Sequence, residues 1–139
     1  MADLNIVEKV IALEGVDLLQ NLNPDQLARI AAIATEVCEP PGKVILRPAW
    51  PLDALYVVLD GSVELSQDGA AIHTAKQNEV LGAWGLFDDE PMPLTATALE
   101  STRLLRIARE DFFDMLSDNV EITATVFSTL VKRFRKLVG

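Results

Sequence analysis

The sequence predicts an α+β domain built around one β-barrel, and three observations predict it. Apolar residues recur at helical spacing near both ends of the chain, the long middle stretch changes to a period of two, and that stretch carries Asp60-Gly61 and Asp68-Gly69 as paired turn signals. Strand formers flank both turns, at the spacing of a compact antiparallel barrel or sandwich, and a run of strands between helices is the α+β pattern.

From Asp3 to Leu13, the residues Leu4, Val7, Val10 and Ile11 fall on one helical face, so an amphipathic helix opens the chain and Gly15 stops it. Its expected role is that of a lid or a partner-facing helix. Asn23 as N-cap and Pro24 at the first helical position start a second helix, with Leu27, Ile30, Ala31 and Ala34 on one face, running to about Thr35. Pro40-Pro41-Gly42 breaks helix. Strands are expected over Val44–Leu46, Leu55–Leu59, Val63–Leu65 and Ala70–Ile72, and over Thr95–Ile107 with a bend near Glu100-Ser101. Arg109-Glu110-Asp111 leads into a short helix holding Phe112, Phe113, Met115 and Leu116, broken near Ser117-Asp118-Asn119.

A final helix from about Val120 to Leu137 carries Phe127, Leu130, Val131, Phe134 and Val138 along one stripe. The stripe is expected to pack on the chain's own barrel, with a homodimer through the same helix as the alternative. Lys132, Arg133, Arg135 and Lys136 complement the negative end of that helix's dipole. The expected layout is a single domain over 1–139, with helices over 3–35, the barrel over 36–108 and C-terminal helices over 109–138.

With 139 residues, 50% hydrophobic and 24% charged, the chain has the composition of one globular core. Asp and Glu outnumber Lys and Arg by 21 to 12, and a net charge of -9 disfavours direct nucleic-acid binding, which needs a basic face. The opening Met-Ala-Asp-Leu-Asn is acidic where a signal peptide is basic, and no apolar run approaches the ~20 residues of a membrane span, so a cytoplasmic protein without membrane insertion is expected.

Cys38 is the only cysteine and His73 the only histidine, which leaves no disulfide, no metal site and no His-dependent triad. Both are expected to be plain strand residues. The acid pairs Asp88-Asp89 and Glu110-Asp111 have no base, nucleophile or metal set beside them, so no catalytic residue is assigned and no enzyme is expected.

Three linked stretches carry a family resemblance. Asp53-Ala-Leu-Tyr-Val-Val-Leu-Asp-Gly-Ser-Val-Glu-Leu65, then Asn78-Glu-Val-Leu-Gly-Ala-Trp-Gly-Leu-Phe-Asp-Asp-Glu-Pro91, then Thr97-Ala-Leu-Glu-Ser-Thr-Arg-Leu-Leu-Arg-Ile107 with Arg109-Glu-Asp-Phe-Phe113 resemble successive segments of the cyclic nucleotide-binding domain. The resemblance runs from about Gly15 to the C-terminus. It implies an eight-stranded antiparallel jelly roll, a double-stranded β-helix, with flanking N- and C-terminal helices and a phosphate-binding cassette between two strands. It also implies a regulatory or sensor module in signal transduction.

In that family a short cassette helix aims backbone N–H groups at the cyclic phosphate, an Arg neutralises it, and a Glu accepts the ribose hydroxyl. Here Leu81-Gly82-Ala83-Trp84-Gly85-Leu86-Phe87 puts Ala83 where the Glu belongs, and the Arg position falls on Met92, or on Leu94 if two residues are inserted. No Lys, Arg or His occurs between Lys76 and Arg103, whereas Glu79, Asp88, Asp89, Glu90 and Glu100 do. Arg47 or Arg103 could reach in from another strand.

The candidate pocket is therefore Gly82, Ala83, Trp84, Gly85, Leu86, Met92, Pro93, Leu94 and Thr95. Trp50, Trp84 and Met92 either fill the nucleotide's space or, for Trp84, belong to the core. The expectation is a degenerate sensor with no cofactor, which does not bind cyclic AMP tightly and acts on a protein partner or other domains of a larger assembly. The alternative is a working sensor for cAMP, cGMP or another small molecule in the same pocket, a neutral one suiting walls of Trp84, Met92 and Leu94. Family transcription factors carry a helix-turn-helix after the long final helix, whereas this chain stops at Gly139, so direct DNA contact is not expected.

Overall fold

Period two in the sequence becomes a pair of four-stranded antiparallel sheets. The computed structural model describes residues 4–51, 53–82 and 93–138. Among them the strands are β1 (Ala34–Glu39), β2 (Val44–Leu46), β3 (Ala54–Asp60), β4 (Val63–Gln67), β5 (Ala70–Ala75), β6 (Val80–Leu81), β7 (Thr95–Ala98) and β8 (Thr102–Ala108). One sheet has the order β1-β8-β3-β6 and the other β2-β7-β4-β5. This is the eight-stranded jelly roll that the family resemblance implies.

Both sheets send side chains into one interior cluster: Ile45 and Leu46 from β2, Val58 from β3, Val63 from β4, Ala75 from β5, Leu81 from β6, Ala96 and Ala98 from β7, and Leu104 from β8. Because side chains alternate along a strand, these positions define the inner face of each strand. The inward residues of β7 are alanines, and Tyr56 and Leu65 lean on the cluster, half-buried.

The turn chemistry follows the sequence. Asp68 and Gly69 both have positive φ, at 52° and 82°, which is the two-residue turn that closes a tight β4–β5 hairpin. Gly61 ends the β3 run at φ 97°, and a Cβ there would lie 2.6 Å from Thr102 Oγ1 and 2.8 Å from the Ser101 carbonyl. Only glycine fits. The expected bend near Glu100-Ser101 is present as Leu99, Glu100 and Ser101, which separate β7 from β8.

Residues 34–109 form one compact unit, and residues 1–33 with 110–139 form a second, helical one. The helices are α1 (Ile6–Glu14), α2 (Pro24–Ala32), α3 (Arg109–Asp118) and α4 (Val120–Val138), with a 3-10 turn at Asp17–Leu19. Asn5 caps α1 and Asn23 caps α2, each with the side chain three residues on, Glu8 or Gln26, bonding back to the cap N–H. Gly15 is the C-cap of α1, as the sequence predicts.

Two expectations need correcting. The second helix ends at Ala32 rather than Thr35, and Ala34 and Thr35 open β1, so the barrel starts two residues before 36. Thr35 is β-branched and pairs with Arg106, and the ladder formed with β8 outweighs one more turn of helix. The apolar stripe of α4 is not the buried one: Ile122, Val126 and Thr129 are buried, whereas Phe127 is 67% and Phe134 64% exposed, with Val120 and Leu137 exposed too. Thr129 escapes a hydropathy reading because its hydroxyl is satisfied inside the helical unit. It accepts from Asn21 Nδ2 at 2.8 Å and donates to the Thr125 carbonyl at 3.1 Å.

Candidate functional site

The cassette starts where β6 ends. β6 lies beside β3, with Tyr56 opposite Leu81 and Val57 opposite Val80, and Gly82 follows at φ 82°, buried. On the far side Pro93 is exposed, Leu94 half-buried, and Thr95 opens β7 opposite Ser66 of β4. Alternation from Ala96 and Ala98 turns Thr95 to the outer face and leaves Leu94 on the inner side. Ala83, Trp84, Gly85, Leu86 and Met92 lie outside the described residues.

The approach to β6 is held by Glu79, an acid just before that strand. Gln77 and Asn78, the latter at φ 75°, make the turn, with Asn78 N–H donating to the Val58 carbonyl at 2.9 Å and Val58 N–H donating to the Glu79 carbonyl at 3.0 Å. The Glu79 carboxylate accepts from the Lys76 backbone N–H and lies 3.1 Å from His73 Nε2. His73 thus sits exposed on β5, as expected of a surface strand residue, and it also braces this turn. Cys38 is an exposed residue of β1.

Neither cation that could reach in from another strand is poised to do so. Arg103 Nη2 donates to Glu36 Oε1 at 2.6 Å across β8 and β1, and Arg47 stacks over the Trp50 ring, 5.6 Å from its centroid. The hydrogen bond to Glu36 raises the Arg103 guanidinium above its usual value, with burial opposing and nearby acids adding to the rise. Alternation gives the same answer: Leu104 points inward, so Arg103 points outward.

One cation on the inner side was missed from sequence. Arg106 lies two residues beyond the inward Leu104 and opposite Tyr56, so it occupies the inner face of β8. Adjacent Leu104 and Leu105 are both apolar, so alternation alone did not say which face Arg106 shares. Its Nη2 is 3.6 Å from Asp53 Oδ1, a carboxylate 73% exposed and therefore a weak partner.

Among the described residues no cluster of His, Cys, Asp and Glu could hold a metal ion. No described helix is long and apolar enough to cross a membrane.

Comparison with known proteins gives the frame for this geometry. The family model described as cyclic nucleotide-binding domain matches residues 37–119. The chain is 28% identical over 106 residues to a cAMP-dependent protein kinase regulatory subunit of Emericella nidulans, covering 75% of this chain and 26% of that protein. It is 22% identical over 135 residues to a CRP-like cAMP-activated global transcriptional regulator of Mycobacterium tuberculosis, covering 94% of this chain and 59% of the relative. The chain thus spans about a quarter and about three-fifths of these two relatives. Among solved structures, the N-terminal domain of a transcriptional regulator from Streptomyces coelicolor A3(2) superposes with a TM-score of 0.84 at 27% identity, over 91% of this chain and 94% of that one.

Proposed function

The chain belongs to the cyclic nucleotide-binding domain family, and from that premise we propose that it is a regulatory module whose cassette does not hold cyclic AMP or cyclic GMP tightly. It acts in the cytoplasm through a protein partner or through other domains of a larger assembly. The observation that carries this reading is the absence of any Lys, Arg or His between Lys76 and Arg103, together with the engagement of Arg103 by Glu36 and of Arg47 by Trp50. A cyclic phosphate needs a charge-assisted donor at the cassette, each such contact being worth roughly 1.5–3 kcal/mol. Arg106 stands two strands from Leu81, roughly 10 Å away across the sheet, with its guanidinium beside Asp53. Calorimetric titration with cAMP and cGMP tests the reading: no saturable heat is expected in the micromolar range, and a micromolar Kd for either overturns it.

A second copy of the chain is the partner that one feature favours. Phe127, Leu130, Val131 and Phe134 lie exposed along α4, a face suited to pairing with the same face of another helix. Light scattering at several protein concentrations reads the mass directly, and a strictly monomeric mass rejects this partner.

A further inference from the structure

We propose that Arg106 and the hydroxyls beside it form an anion-holding subsite on the inner wall of the barrel, suited to a small molecule that carries one oxyanion on an apolar body. The inference goes beyond the reading above, which concerns the cassette alone. Strand pairing places Thr35 of β1, Arg106 of β8, Tyr56 of β3 and Leu81 of β6 in one row across the sheet. Paired residues share a face, and Leu81 belongs to the interior cluster on which Tyr56 leans, so the row lies on the inner side of the sheet and runs from buried Leu81 through half-buried Tyr56 and Arg106 to exposed Thr35 at the edge. A guanidinium between two hydroxyls is a donor set for a carboxylate or phosphodiester oxygen pair. Among the described residues neither hydroxyl has a hydrogen-bond partner.

The surroundings fix the rest of the ligand. Leu81, Leu104 and Val58 supply an apolar wall on one side of Arg106, and the next pair on the other side, Ala54 opposite Ala108, carries only methyl groups. One guanidinium facing one exposed Asp53 carboxylate leaves little field to hold more than a single negative charge, and the chain's net charge of -9 repels polyanions. Asp53 acts as a weak internal competitor that an incoming oxyanion displaces.

The same chemistry is offered by a fatty or aromatic monocarboxylate and by a cyclic phosphodiester, and three probes separate the sources: octanoate, benzoate and cAMP, each titrated by calorimetry into the unmodified chain and three variants. Saturable binding of at least one probe is expected, weakened roughly ten- to a hundredfold by Arg106→Gln. Asp53→Ala, which removes an exposed side chain, is expected to tighten it, and Tyr56→Phe to loosen it by several-fold. Saturation by a carboxylate alone leaves the cassette reading intact. Saturation by cAMP at micromolar concentration, lost in Arg106→Gln, supports the subsite while overturning that reading. If Arg106→Gln does not fold, tighter binding by Asp53→Ala still supports the subsite. Failure of all three probes to saturate at about 10 mM, or unchanged affinity in both Arg106→Gln and Asp53→Ala, overturns the inference.

Discussion

Arg103 reaches diagonally across the β1–β8 pair to Glu36, whose side chain is only 4% exposed, and the two are joined by a 2.6 Å hydrogen bond. The pair ties an edge strand to the middle of its sheet. Arg103→Ala strands a buried carboxylate and is expected to destabilise the chain by about 1.5–3 kcal/mol in urea unfolding. The Arg103 pKa is raised on folding, so its contribution is complete below the guanidinium's ordinary range and is lost only as pH climbs through the raised value. Titration of Arg103 therefore adds no pH dependence to the loss between about pH 6 and about pH 9; a loss that fades steadily as pH rises through that window contradicts a raised pKa.

The two turn glycines should part company under the same substitution. Gly61→Ala forces a Cβ into the Thr102 hydroxyl and the Ser101 carbonyl at positive φ, and a cost of about 2–4 kcal/mol is expected. Gly69→Ala meets nothing within 4 Å and carries only the left-handed penalty of about 1–2 kcal/mol. Denaturation midpoints of the two variants, measured side by side, decide the matter, and equal losses would show that close approach at Gly61 is irrelevant.

On α4 the structure inverts what hydropathy suggests. Ile122→Ala is expected to cost about 2–4 kcal/mol, because Ile122 is 2% exposed, while Phe127→Ala should stay within about 0.5 kcal/mol in dilute solution. Thermal unfolding at low protein concentration separates them. A large loss from Phe127→Ala under those conditions would put the stripe in the core after all.

Restoring the missing charges should restore the ligand. Ala83→Glu combined with Met92→Arg or with Leu94→Arg is expected to raise cAMP affinity by roughly two to four decades in one of the two registers. Titration of both double variants also reads out the alignment; no gain in either would mean that more than two side chains separate this cassette from a binding one.

Much of the barrel was legible because turn glycines and period two act locally. The Asp68-Gly69 hairpin, the Asn23-Pro24 helix start and the break before Val120 all have their causes within four residues of themselves. The first two residues of β1 and the buried face of α4 were not legible from local pattern. Ala34 and Thr35 read as the tail of a helix until the β8 ladder claims them, and Thr129 reads as solvent-facing until Asn21, 108 residues away in sequence, bonds to it. The candidate site divided in the same way. The loss of charge in the cassette is visible as missing residue types, whereas Arg106 becomes conspicuous only once strand pairing sets it in line with Tyr56 and Leu81.

α3 and α4 meet at a single residue, Asn119, whose side chain accepts from Arg29 of α2 at 2.7 Å and donates to the Met115 carbonyl at 2.7 Å. A swing of the long helix about that joint has to release the Arg29 clasp first. An exposed bond from a charged donor is worth at most roughly 1.5–3 kcal/mol, a few times the thermal energy, so the clasp yields to a contact of ordinary strength. A competing donor at Asn119 therefore has one modest bond to displace before that clasp is released.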